Sequence, residues 1–123
     1  MDGTRLWYVN VYVRDLEKAV GFFRDTLGLP LRFWDEAFGY ASFDAGGVGL
    51  ALARIEGDDT QGLVGRHTGI GIGVGDLASA HRDLERKGVR FTLPPTRQPW
   101  GGTLAMFEDP DANVFFLDQL REE

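Results

Sequence analysis

Val11-Tyr12-Val13-Arg14-Asp15-Leu16, early in this 123-residue chain, is answered in the second half by Ile72-Gly73-Val74-Gly75-Asp76-Leu77. Asp15 and Asp76 stand 61 residues apart (76 − 15), and Ala19 with Ala80 and Phe23 with Leu84 keep the same offset. Each copy reads as an alternating strand, an Asp at the turn and then an amphipathic helix. A repeated strand–helix–strands unit predicts two similar modules whose sheets meet around one shared space. Function is expected in that space.

Working outward, the first strand is predicted over residues 6–13, with Asp15 capping the helix that follows. Leu16, Ala19, Val20, Phe23 and Leu27 share one helical face. Gly28 supplies the left-handed stop and Pro30 prevents resumption. Three short strands are predicted near 31–34, 39–44 and 48–55, and the polar, glycine-rich stretch 57–65 reads as a linker. The second module repeats the plan: a strand over 69–74, a helix capped by Asp76 that buries Leu77, Ala80 and Leu84, a stop at Gly88, and strands near 89–93, 103–107 and 114–118. The two modules span about 5–56 and 66–119 within one domain of the size such a chain supports.

Alternation assigns the faces. Val9, Val11 and Val13 are expected against a helix, which turns Tyr8, Asn10 and Tyr12 to the concave side. In the second module Ile70, Ile72 and Val74 go to the core and Gly69, Gly71 and Gly73 to the concave side. Glycines on one strand face leave nothing to pack. Either another backbone approaches there, or the glycines hollow out space for a flat ligand. Leu50 and Leu52 suit the core, leaving Gly49, Ala51 and Ala53 opposite. The last strand offers Val114 and Phe116 to the concave face, with Asp118 near its end. Small walls, several aromatics and few charges suit an apolar or aromatic small molecule.

Composition narrows the field. The net charge is −6 and no Lys/Arg stripe occurs, which argues against a nucleic-acid partner. An acidic field favours cationic ligands, although solubility alone accounts for the acidity. No apolar run approaches a membrane span, no basic-then-apolar signal region opens the chain, and there is no cysteine; a cytoplasmic location is the default expectation.

Residues 11–30 (V-Y-V-R-D-L-E-K-A-V-G-F-F-R-D-T-L-G-L-P) and 109–117 (D-P-D-A-N-V-F-F-L), with the Pro99-Trp100-Gly101-Gly102 segment, resemble the vicinal-oxygen-chelate superfamily. This group holds glyoxalase I, extradiol dioxygenases, fosfomycin-resistance enzymes and bleomycin-resistance proteins. The resemblance covers nearly the whole chain. It implies an α+β fold of tandem βαβββ modules forming a curved mixed sheet around a cavity, and a homodimer. One departure is Ala112, where the family's turn usually has Gly, so that a positive φ there would be strained.

The family's enzymes hold a divalent metal with His and Glu or Gln side chains from four strands. Carried over, those positions fall on Tyr8, near Ala51, on Gly69 and on Phe116. A phenol is a poor replacement, and the other side chains do not coordinate. His67 shares the face of Gly69 if its strand begins earlier, which would make it a displaced ligand; a linker or rim histidine is the simpler reading. His81 reads as a boundary residue. No metal and no cofactor are therefore expected, and no nucleophile is evident. Tyr8, Tyr12 and Asp118 stay open as a metal-free acid–base set.

Trp34, Phe38, Tyr40, Trp100 and Phe116 border the expected cavity, and core packing is accepted for Phe43 and Phe107. Trp34 and Trp100 are read as lid residues that stack on a planar ligand. The expected site is thus Tyr8, Asn10, Tyr12, Trp34, Phe38, Tyr40, Ala51, Gly69, Gly71, Trp100 and Phe116. The leading expectation is a metal-free binding protein, similar to the bleomycin-resistance branch, that sequesters a bulky aromatic natural product. The alternative is a lyase, isomerase or dioxygenase-like enzyme of the same fold, metal-free or with displaced ligands. A module serving only protein association, with a collapsed cavity, ranks third.

Overall fold

The computed structural model describes residues 2–121. The chain divides into two compact units, the first ending at Val64 and the second beginning at Gly65. Each has the order strand, helix, three strands. Among the described residues no helix is long and apolar enough to cross a membrane.

In the first module β1 (Tyr8–Val13) leads to Asp15, whose carboxylate accepts the Lys18 N–H at 3.0 Å and so caps α1 (Leu16–Gly21). The expected single helix to Leu27 is instead an α-helix that widens into a π-helical turn over Phe22–Thr26, closed by Leu27 N–H to the Phe22 carbonyl. With the wider turn Phe23 is wholly buried while Phe22, edge-on to it at 5.2 Å, is half-exposed. Gly28 then takes φ 78°, the left-handed stop its position demands.

The strands β2 (Leu31–Asp35), β3 (Tyr40–Asp44) and β4 (Gly49–Arg54) complete a sheet ordered β1-β4-β3-β2, with β1 parallel to β4 and the other pairs antiparallel. Val11 and Val13, Leu16, Ala19 and Val20, Phe23, Ala41 and Phe43, and Leu50 and Leu52 form the core between sheet and helix. The Phe23 and Phe43 rings meet at 6.0 Å. Burying a side chain of this size contributes about 1.5–3 kcal/mol.

The second module sets β5 (His67–Val74), α2 (Leu77–Arg86), β6 (Arg90–Arg97), β7 (Thr103–Glu108) and β8 (Val114–Gln119) in a sheet ordered β5-β8-β7-β6. Asp76 caps α2 through the Ser79 N–H at 3.1 Å, as Asp15 caps α1. Leu77, Leu84, Phe107, Phe115 and Leu117 fill the core, the two rings stacked at 5.4 Å.

Two strands differ from expectation. β6 runs through Pro94-Pro95 to Arg97 rather than ending near residue 93, because it is the sheet's edge and its register shifts on both sides of Leu93. An edge strand tolerates a missing donor. β5 begins at His67 rather than at residue 69: His67 pairs with Val114, yet Gly71 pairs with Phe116, so β5 carries an extra pair of residues in a bulge. Gly69 sits in that bulge at φ 73°, a conformation that favours glycine.

The β7–β8 turn is held by Asp109. Its carboxylate accepts the Asp111 N–H, the Asn113 N–H and the Asn113 side-chain amide, each at 2.9 Å. Asn113 in turn accepts the Gly65 N–H at 2.8 Å, which pins the approach to β5. Ala112 has φ 63°, the strained conformation expected at that position.

Candidate functional site

In each module the helix covers one face of the sheet and leaves the other open. On the first module's open face lie Tyr8, Asn10 and Tyr12 of β1, with Tyr40 and Ser42 of β3. A hollow of about 250 Å³ there is lined by Trp7, Tyr8, Arg32, Tyr40, Ser42 and Gly49. Gly49 pairs with Tyr8, and a side-chain carbon at that glycine would meet Tyr8 Cβ at 3.2 Å. Burial pushes the Tyr40 phenol above its ordinary value, and Tyr8 beside it adds to the push. At neutral pH the Tyr40 phenol is a hydrogen-bond donor.

The second module's open face carries a larger hollow of about 420 Å³, lined by Leu93, Gln98, Trp100, Leu104, Met106, Phe116 and Asp118. Register places these side chains together: Met106 pairs with Phe116 and Leu104 with Asp118, and residues directly opposite point to the same face. A second hollow of about 340 Å³ also uses Trp100 and Asp118, and extends past Gly71, Gly73 and Gly102 to Arg121. Asp118 is half-buried, and among the described residues no hydrogen bond or ion pair reaches its carboxylate. Trp100 is 65% exposed, although its indole occupies the space a side chain at Gly102 would need.

The glycines of β5 have separate causes rather than a shared one. Gly69 answers the left-handed backbone of the bulge. At Gly71 a Cβ would lie 3.1 Å from the Asp118 carboxylate, so its absence opens the hollow around that group. At Gly73 the space a Cβ would need is taken by the Leu120 side chain. Only Gly71 fits the reading of a wall thinned for a ligand.

The expected site residues separate accordingly. Tyr8 and Tyr40 meet in the first hollow; Gly71, Trp100 and Phe116 meet in the second module. Asn10 and Tyr12 lie on the open face outside the hollow's lining. Phe38 stands at the β2–β3 turn, 82% exposed, with its N–H held by Asp35. Ala51 is a correction: it is wholly buried in the central strand and offers a ligand no surface. Trp34 is another. A register shift between Leu31 and Phe33 sets Phe33 opposite Ser42 and Trp34 opposite Ala41, which turns Trp34 to the helix-covered face. Its indole N–H donates to Glu36 at 3.0 Å, and Phe33 takes the open side.

Sequence reading missed Leu93, Gln98, Leu104 and Met106, and on the first module Trp7, Arg32 and Ser42. Alternation already carried Leu104 and Met106, since Phe107 was assigned to the core. Arg32 had no signal, because it lies at the irregular step of β2.

The metal implied by the family resemblance finds no donor set. Among the described residues no group of three His, Cys, Asp or Glu side chains converges to hold an ion. The bulge does bring His67 opposite Val114, against Phe116 with ring centroids 4.9 Å apart. Its Nδ1, however, accepts the Gly69 N–H at 3.1 Å. A neutral imidazole that accepts at Nδ1 holds its proton on Nε2, leaving no lone pair there for a metal. Histidine ligands ordinarily donate from the second nitrogen, the reverse of this arrangement.

Comparison with known proteins agrees with the folded pattern. The family model described as Glyoxalase/Bleomycin resistance protein/Dioxygenase superfamily matches residues 5–117. The chain belongs to this superfamily. Within it, the uncharacterized protein YraH of Bacillus subtilis is 32% identical over 120 residues, covering 89% of this chain and 94% of the relative. A superfamily member from Sphaerobacter thermophilus is 30% identical with a TM-score of 0.82, covering 95% and 98% of the two chains. The lactoylglutathione lyase of Agrobacterium tumefaciens has a TM-score of 0.78 at 20% identity, covering 94% of this chain and 93% of its own, a likeness of fold.

Proposed function

We propose that this superfamily member is a small-molecule binding protein whose second module takes a bulky aromatic ligand carrying a cationic group. The observation that carries the reading is the Asp118 carboxylate, half-buried with no hydrogen bond or ion pair among the described residues; the apolar walls of Leu93, Leu104, Met106 and Phe116 and the exposed Trp100 lie on one side of it, and the hollow that reaches Arg121 on the other. A carboxylate at the edge of apolar walls favours a counter-charge in that space. A ligand ammonium supplies that charge while its ring system covers the apolar walls and stacks on Trp100. Sequestration of a toxic natural product is the role that follows from binding without turnover. A catalytic reading lacks a comparable observation, since Asp118 is the only carboxylate or imidazole lining the larger hollow.

The test is a titration with planar aromatic amines and their neutral isosteres, read by tryptophan fluorescence and calorimetry. Amines are expected to bind saturably at about micromolar Kd. Asp118→Asn weakens them by about tenfold, the loss of one charge-assisted hydrogen bond, and leaves the neutral isosteres unchanged. Trp100→Ala weakens both sets, because aromatic stacking contributes about 0.5–1.5 kcal/mol per pair. An absence of saturable binding across the panel, or amine affinity indifferent to Asp118→Asn, sinks the reading.

A further inference from the structure

The first module's hollow carries the opposite chemistry. Arg32 lines it with no hydrogen bond or ion pair among the described residues. Arg32 acts on Asp44 only through space; Asp44 Oδ1 accepts the Gly46 and Gly47 N–H groups at 3.1 and 3.2 Å, and no bond joins the carboxylate to Arg32 among the described residues. With no bond made to it among the described residues, the Arg32 guanidinium offers a planar fork of donors, a geometry that matches a carboxylate. The Ser42 and Tyr40 hydroxyls add donors from β3. Trp7, 73% exposed, and Tyr8, 49% exposed, have ring centroids 6.0 Å apart and present aromatic surface beside the guanidinium. Gly49 keeps the floor open, since a side chain there would also reach Ser42 Oγ at 3.7 Å.

We propose that this hollow is a binding site for small aromatic carboxylates, with Arg32 taking the carboxylate, Ser42 and Tyr40 donating to it, and Trp7 and Tyr8 flanking the ring. The volume of about 250 Å³ lies just under the range of about 300–1,000 Å³ that holds drug-sized molecules, which suits a ligand of one or two rings. A net charge of −6 works against anions over the molecule as a whole. Selectivity for one is therefore a property of this site and not of the overall field. Its lining shares no residue with that of the Asp118 hollow.

The tryptophans make the test direct, because Trp7 lines this site, Trp100 lines the second-module hollow, and Trp34 lies on the helix-covered face of β2. The indole N–H signals of the nitrogen-15-labelled full chain are followed while 2-naphthoate is added, and in a parallel series 2-naphthylmethylammonium. Naphthoate is expected to shift Trp7 saturably and leave Trp34 still, with affinity falling as salt is raised. Arg32→Gln, at an exposed position, weakens naphthoate by about tenfold or more and leaves the response to the ammonium probe intact. A Trp7 signal unmoved by naphthoate, or moved equally in Arg32→Gln, overturns the proposal. A Trp100 signal unmoved by the ammonium probe counts against the Asp118 reading alone.

Discussion

The two modules share a helix-covered face and differ on the open one. Asp15 and Asp76 cap their helices through the same bond, and Phe43 and Phe107 lie wholly buried in equivalent third strands of the module. On the open faces the likeness ends. The first presents Arg32, hydroxyls and phenols around a small hollow, and the second presents Leu, Met and Phe side chains around a lone carboxylate. Packing against a helix restricts what a buried position accepts, since protein interiors are dense and each lost methylene is felt. An open face carries no such restriction. Duplicated modules can thus keep one fold while their exposed sides take opposite charge and ligand preference.

The largest expected effect tests the shared half of that comparison. Phe43→Ala and Phe107→Ala should each cost about 3–5 kcal/mol, the usual loss for deleting a buried ring. Urea midpoints of the two variants check it. Similar losses support two equivalent cores. A loss under about 1 kcal/mol at either position would show that one core repacks freely and that the helix faces are not equivalent.

The same contrast explains what could be read before the fold was known. Cap aspartates, the glycine stops and the faces of β1 and β8 follow from local chemistry and strict alternation, and the tandem βαβββ order follows from the repeat. Trp34 was read as a lid residue, whereas a bulge near Arg32 turns it to the helix-covered face, and a bulge is a property of strand pairing rather than of the strand's own residues. Likewise the bulge at Gly69 sets His67 where counting puts a glycine. Asp118 was visible as a strand-end residue, but its lack of a partner depends on neighbours supplied by β5 and β7. The helix-covered faces were legible and the open ones only in part, because the exposed side is where irregular pairing is tolerated.

The hairpin turns sharpen the comparison next. Asp44 at the β3–β4 turn and Asp109 at the β7–β8 turn both accept backbone N–H groups. The bonds from Gly47 and Gly46 hold the half-buried Asp44 below its ordinary value. Burial outweighs the hydrogen bonds at Asp109 and holds it above its ordinary value. The linkage signs are therefore opposite. Asp44 contributes stability that is present above the ordinary carboxylate value and lost as pH falls through its lowered folded value. The Asp109 contribution is present below the ordinary value and lost as pH rises through its raised folded value. Unfolding of the native chain, Asp44→Asn and Asp109→Asn at about pH 3 and about pH 6 separates them. Relative to its variant, the native chain gains from Asp44 on going to the higher pH and loses from Asp109. At neutral pH Asp109→Asn also costs about 1–3 kcal/mol, because its amide would face the Asn113 amide donor-to-donor. Parallel pH responses in the two variants would mean that burial does not decide the sign.

The smallest effect comes from the same pair of turns. The first module turns its chain on Gly46 and Gly47 at φ 82° and 98°, whereas the second uses Ala112 at φ 63°. A non-glycine residue in the left-handed region costs about 1–2 kcal/mol, and glycine returns part of that through its greater freedom in the unfolded chain. Ala112→Gly is therefore expected to stabilise by about 0.5–1 kcal/mol, seen as a raised urea midpoint with an unchanged slope. Ala112 is exposed, so the substitution removes no packing. No gain would place the compensation in the Asp109–Asn113 network. Asp109→Asn combined with Ala112→Gly would then restore the gain, because the strain could no longer be held by those hydrogen bonds.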